Sequence, residues 1–202
     1  MSGIFGILST PSVQRVDLVH LARHAQQRGK DSSGLFYATN NNYHLVRASF
    51  SIESLLKKVR LNSPQFVMGH SRIITDRVPD SQPVYRDSMC VIHDGIIVNH
   101  DKLWSQVKRP RKQEIDTEII AAIVADVLEA GEAVETVSEK VLSMCQGIVA
   151  CAVAMPRIGK LCLISNNGGL YVGYKSNSFC FSSESFPLTL LGCNQIKQIK
   201  DG

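Results

Sequence analysis

The chain has 202 residues, 44% hydrophobic and 20% charged, an ordinary globular profile; at that length roughly two-thirds to three-quarters of the unfolded surface can be buried, so one domain over residues 1–202 is expected. Its net charge of +4 is small and dispersed, and neither an RNP-type motif nor an aromatic and basic cluster accompanies it, which sets nucleic acid aside. No basic segment with a following apolar core opens the chain, and no apolar run approaches the roughly 18 residues of a bilayer span, so a soluble cytoplasmic protein with no membrane partner is expected.

The chain opens with an apolar strand at residues 3–8, a turn at Ser9-Thr10-Pro11-Ser12 and a helix over 13–27. That helix sets Leu18, Leu21, Ala22 and Ala25 along one line and ends at Gly29. Residues 35–39 and 43–47 read as a β-hairpin around Asn40-Asn41-Asn42, since asparagine tolerates the left-handed conformation of a tight turn. Ser51 is an N-cap candidate for a short helix through residue 60, and 65–74 reads as a strand that runs into a polar loop. A second hairpin is expected where residues 89–93 and 96–98 flank Asp94-Gly95, a strong two-residue turn signal that would hold backbone amides at its tip.

A helix near 101–107 follows, then the basic run Lys108-Arg109-Pro110-Arg111-Lys112, which reads as a solvated loop because Pro110 interrupts it and no glycine-rich cradle is present. Helices over 116–129 and 132–144 come next, the first with Ile119, Ile120, Ile123, Val124 and Val127 at helical spacing. The remainder reads as strands at 147–155, 160–165, 170–174 and 178–181. Strands at both ends with helices between them predict an α+β fold with packed sheets. Cys90, Cys145, Cys151, Cys162, Cys180 and Cys193 form no C-x-x-C pair and read as buried reduced thiols.

The first six residues, Met1-Ser2-Gly3-Ile4-Phe5-Gly6, carry the first functional signal. Once Met1 is removed, a strand that begins at Ser2 places a hydroxyl nucleophile beside a free α-amine, the pairing of N-terminal nucleophile chemistry. An unperturbed α-amine titrates near about 7.7–8.0 and can act as a base at cellular pH.

Six segments in order then resemble one family: Gly3-Ile4-Phe5-Gly6, Arg28-Gly29-Lys30-Asp31-Ser32-Ser33-Gly34, Gly69-His70-Ser71-Arg72, Ser81-Gln82-Pro83, His93-Asp94-Gly95-Ile96-Ile97-Val98-Asn99-His100 and Glu114-Ile115-Asp116-Thr117-Glu118. They resemble the landmarks of class II glutamine amidotransferase domains, the N-terminal nucleophile hydrolase domains that head glucosamine-6-phosphate synthase, amidophosphoribosyltransferase and asparagine synthetase. Ser182-Ser183-Glu184-Ser185 looks like the family's (A/S)-S-(D/E) segment, so the resemblance covers the whole chain. It implies a four-layer αββα sandwich of two antiparallel sheets. It also implies glutaminase chemistry, glutamine and water giving glutamate and ammonia, with the ammonia passed to a synthase domain or partner chain.

The resemblance assigns roles residue by residue. Ser2 supplies nucleophile and base, Gly95 an N–H for the oxyanion, and Arg28 fixes the N-terminal loop. Arg72 holds the α-carboxylate of L-glutamine, Asp116 pairs with its α-ammonium, and Thr75 lines the pocket. Taken without the resemblance, Arg72 is an ordinary ion-pairing residue, Asp116 a helix N-cap or first-turn acid and Gly95 a turn former. His70, His93 and His100 read as structural, and neither metal nor cofactor is expected.

Two departures fall on the reaction centre. The family nucleophile is Cys where this chain has Ser2, and a hydroxyl depends wholly on its base. The family has Asn where this chain has Asp94, and an ionised carboxylate repels a developing oxyanion. Turnover is therefore expected to be weak or absent. An engineered Cys replacement, natural divergence to glutamine binding or ammonia-fed scaffolding, and a working Ser variant all remain open, as does a non-catalytic sensor or interaction module. The acceptor of ammonia, a homo-oligomer, and whether the chain is a fragment of a longer synthase are open too.

Overall fold

The structure, a computed structural model, describes residues 2–40, 42–74 and 81–202. Strand β1 (Ser2–Ser9) is apolar on both faces because it lies in the middle of a sheet covered on both sides. Ile4 points into one layer of the core, while Phe5 and Ile7 point into another, the alternation that a period of two residues imposes.

Around β1 a seven-stranded sheet forms in the order β11-β9-β10-β1-β4-β2-β3, from β2 (Ser32–Thr39), β3 (Asn42–Ala48), β4 (Phe66–Arg72), β9 (Tyr171–Lys175), β10 (Ser178–Ser182) and β11 (Asn194–Gln198). The second sheet runs β5-β6-β7-β8, from β5 (Val84–Arg86), β6 (Met89–Ile97), β7 (Gly147–Met155) and β8 (Lys160–Ser165). Pairing is antiparallel throughout both sheets.

Large side chains on one sheet face small ones on the other. Phe36, Phe66, Met68 and Phe181 of the large sheet share a buried layer with Ala150, Ala152 and Ala154 of β7. That alternation lets the two faces interdigitate.

The outer face of the large sheet is covered by α1 (Arg15–Gln27), α2 (Ile52–Lys58) and α6 (Ser185–Leu190), which bury Leu18, Leu21, Ala22, Ile52, Leu55 and Leu188 against Phe5, Leu35 and Val67. The outer face of the small sheet is covered by α4 (Thr117–Glu129) and α5 (Val137–Met144). Between β6 and α4 lies the one-turn α3 (His100–Leu103). Each fully buried Leu or Ile in these layers contributes roughly 1.5–3 kcal/mol. The expected four-layer αββα architecture is the one observed.

The expected hairpin at Asp94-Gly95 is not. Both residues lie inside β6, paired with Ala150 and Val149 of β7, so the amide-bearing tip does not exist. Strand pairing overrode the local turn preference because β7 continues beside β6 to Gly147. The helix expected at 101–107 shortens to α3, and residues 134–136 form a 3-10 turn before α5. The short strand β5, α6 and the edge strand β11 extend the elements read from sequence.

The basic run is pinned by its own charges. Arg109 bonds Asp126 and lies 2.9 Å from Asp87 and 3.1 Å from Glu129, while Arg111 lies 2.6 Å from Asp101. Beneath it, Arg86 and Glu118 form a buried ion pair at 2.6 Å. Arg86 also donates to the Pro110 carbonyl, and Glu118 accepts from the amides of Lys112 and Gln113. Glu118→Ala should therefore cost about 3 kcal/mol, because it leaves the buried Arg86 charge with only Asp87, at 3.2 Å, among the described residues, and Glu118→Gln distinctly less. Urea denaturation of the two variants measures the difference.

Candidate functional site

The register of the large sheet sets the site. In β4, Arg72 lies directly opposite both Ser2 of β1 and Ser32 of β2. The same end of the sandwich receives β6 from the other sheet, and there the Asp94 Oδ1 accepts a 3.0 Å hydrogen bond from the Ser2 backbone nitrogen.

Arg28, the residue that caps the C-terminus of α1, ties these strands together. Its Nε donates to the Ser2 carbonyl, its Nη2 meets Asp94 Oδ2 at 2.7 Å, and its Nη1 meets Glu184 Oε1 at 3.2 Å. Glu184 is positioned by its neighbour Ser183, whose hydroxyl accepts from the Ile4 amide at 2.8 Å and whose amide donates to the Ile4 carbonyl at 2.9 Å.

Gly95 follows Asp94 where no side chain fits. A Cβ there would sit 1.9 Å from the Ile148 carbonyl oxygen and 2.7 Å from His93 Nε2, on a backbone with φ of +154°. Only glycine allows β7 to approach β6 this closely.

Asp116 immediately precedes α4, and its Oδ2 accepts from the Ile97 amide at 2.8 Å. Its Oδ1 lies 3.9 Å from His93 Nδ1. The Arg72 guanidinium, by contrast, has no ion-pair or hydrogen-bond partner among the described residues.

Ser2, Arg28, Arg72, Asp94, Gly95 and Asp116 all line one cleft of about 810 Å³. That volume is ordinary for a small-molecule site. Thr75 lies outside the described residues. The wall also includes Gln82, His100, Glu114 and Asn167, and exposed Ile73, Ile96, Val98 and Ile148 form an apolar rim. Among the described residues no His, Cys, Asp and Glu group has the arrangement of a metal site.

Sequence reading quoted Gln82 and Glu184 within motifs but gave them no task. Gln82 clamps β6 from the side, in line with β5, its Oε1 accepting from the His93 amide at 2.5 Å and its Nε2 donating to the His93 carbonyl at 3.0 Å. The histidines divide. His93 bonds the Ile148 carbonyl at 3.1 Å and His100 the Ile97 carbonyl at 2.9 Å. His70 is fully buried between the sheets, with both ring nitrogens unpartnered among the described residues. Burial, reinforced by the nearby Arg72 charge, pushes it down to about 3.

A sandwich of two antiparallel sheets between helices, with the second residue of the chain in its cleft, defines an N-terminal nucleophile type of fold. Comparison with known proteins narrows it: the model of the family described as "Glutamine amidotransferase domain" matches residues 70–189, and the chain belongs to that family, in its class II branch. It is 28% identical to the glutamine–fructose-6-phosphate aminotransferase (isomerizing) of Bartonella quintana across all of this chain and 34% of that protein. It is 31% identical to the enzyme of the same name from Wigglesworthia glossinidia brevipalpis, over 76% of this chain and 27% of that protein. The chain thus spans about a third of the length of the curated relatives it matches.

In fold it is similar to the glutamine phosphoribosylpyrophosphate amidotransferase of B. subtilis, with a TM-score of 0.78 at 18% identity over 98% of this chain and 45% of that one. A glutamine aminotransferase class-II domain protein from Silicibacter pomeroyi superposes with a TM-score of 0.59 at 12% identity, covering 98% and 91% of the two chains. No helix among the described residues is long and apolar enough to cross a membrane.

Two measurements follow from the geometry. Arg28→Ala should destabilise the chain by about 1–3 kcal/mol in chemical denaturation, because Asp94 loses its cation, and Arg28→Lys should recover only part of that. His70 takes up its proton only on unfolding between about 6.5 and about 3, so stability should fall as pH drops through that window and stay level above it. His70→Gln should flatten that acid limb in urea titrations at pH 4–7.

Proposed function

We propose that this cleft binds L-glutamine and that the chain hydrolyses it weakly or not at all. In the reading we favour, the Arg72 guanidinium, unpaired among the described residues, takes the α-carboxylate, Asp116 takes the α-ammonium, and the side-chain amide points to Ser2 and Gly95. The family reaction would then run by attack of the residue 2 nucleophile on the amide carbon, with its proton passing to the α-amine. Ammonia leaves with that proton, and water releases glutamate from the acyl-enzyme.

The observation that carries the reading is the Asp94 carboxylate at 3.0 Å from the Ser2 nitrogen and 2.7 Å from Arg28. Once Met1 is removed, that nitrogen is the amine on which the reaction depends. A carboxylate beside it favours the ammonium form, which cannot accept a proton, and the same carboxylate opposes negative charge at the oxyanion position. Asp94 and Ser2 therefore weaken the base, the nucleophile and the oxyanion site together, while Arg72 and Asp116 stay intact. This favours a glutamine-holding domain over a working glutaminase.

The relatives are named as fructose-6-phosphate aminotransferases of about three times this length. By analogy, the synthase that receives ammonia is an amino-sugar enzyme, as a further domain or a separate chain.

Calorimetry on protein shown by mass to lack Met1 should detect glutamine, and Arg72→Ala should weaken binding by about 10²-fold or more. Glutamate release should remain low in wild type and in Ser2→Cys, and rise in the double variant Ser2→Cys/Asp94→Asn. Absence of glutamine binding sinks the substrate assignment; brisk glutamate release by wild type sinks the attenuation.

A further inference from the structure

The large sheet carries a second chemical feature, on its helix-covered face and away from the cleft. Cys180 on β10 lies directly opposite Gly173 on β9. Facing positions of an antiparallel pair bring Cβ atoms to about 4.5–5.5 Å. Gly173 has no Cβ, and the space is taken by Cys193, whose own Cβ lies 2.9 Å from where that atom would be. The two cysteine side chains therefore converge on the gap that Gly173 leaves. Disulfides need Cβ atoms about 3.5–4.5 Å apart, and Cys193 sits at the position that faces Cys180 across the strand pair.

We propose that Cys180 and Cys193 are a reversible disulfide-forming pair that braces the segment carrying Ser183, Glu184 and α6. Cys180 is buried and Cys193 partly exposed, so an oxidant reaches Cys193 first. The thiol of Cys180 hydrogen-bonds the Cys193 sulfur, and Lys175 stands near, which together lower Cys193 from the ordinary thiol value while Cys180 is pushed up. The other thiols are poorer nucleophiles: burial raises Cys162 to about 11 and Cys145 to about 12, and pushes Cys90 and Cys151 up as well.

The oxidant is a low-molecular-weight disulfide such as oxidised glutathione. The Cys193 thiolate attacks one of its sulfurs and releases one glutathione thiolate. The Cys180 sulfur then displaces the second glutathione from the mixed disulfide. Two thiol protons pass to the two released thiolates, and the two electrons leave with them.

The bridge would join residues 180 and 193 around the stretch that holds Ile4 through Ser183 and Arg28 through Glu184. Native chain incubated with oxidised glutathione should lose two hydrogens in intact mass and yield a Cys180–Cys193 cross-link on peptide mapping. The melting temperature should rise on the order of 5–10 °C and return on reduction. Cys193→Ser should melt as the reduced chain does, in either redox state. The proposal is overturned if Cys193 stops at a glutathione adduct, if the cross-link joins other cysteines such as Cys151 and Cys162, if it forms only in urea, or if it leaves the melting temperature unchanged.

Discussion

One guanidinium holds the working end of this molecule together. Arg28 leaves the end of α1 and reaches the Ser2 carbonyl in the large sheet, Asp94 in the small sheet and Glu184 ahead of α6. Arginine suits the position because its planar fork offers several donors in fixed directions, whereas a lysine ammonium would satisfy the charge without fixing the angles. The N-terminal strand, whose first residues would otherwise fray, is thereby given a defined place opposite Arg72.

Everything else in the site follows from two sheets meeting at a controlled distance. The alanines of β7 let the small sheet settle onto the phenylalanines of the large one, and that approach brings β6 within hydrogen-bonding range of Ser2. Along β6, Gln82 bonds both backbone groups of His93, and Asp116 bonds the Ile97 amide, so the strand is gripped on either side of Asp94 and Gly95. The cleft is therefore lined by Ser2, Arg72 and Asp94, placed by strand register, together with Arg28, Gln82 and Asp116 from the segments between elements.

Elements with a strong period were legible in the sequence. The apolar stripe on α1 is the buried one, with Val16 left in solvent, and α4 begins beside Asp116 as its isoleucine spacing required. Asp94-Gly95 was misread because turn propensity is a local property, whereas the pairing of β6 with β7 is made by residues more than fifty positions away. Gly95 is a glycine for the close approach of the Ile148 carbonyl, which no local pattern announces. The roles of Glu184 and Gln82 were hidden for the same reason: their partners are distant in sequence, and only the fold brings them near. The resemblance named the residues that now line one cleft, yet it could not say that Asp94 would lie against Arg28 and the Ser2 nitrogen.

The buried Arg86–Glu118 pair, with Arg109 and its acidic neighbours above it, also bears on temperature. Hydration of charged groups becomes less favourable on heating, so the cost of withdrawing these charges from water shrinks as temperature rises. The hydrophobic layers on both faces of the sheets weaken instead toward the cold. The covering of α4 by the 108–114 loop thus tightens relative to the rest of the fold in the warm range, and the apolar contacts of the sandwich are the first to loosen on cooling.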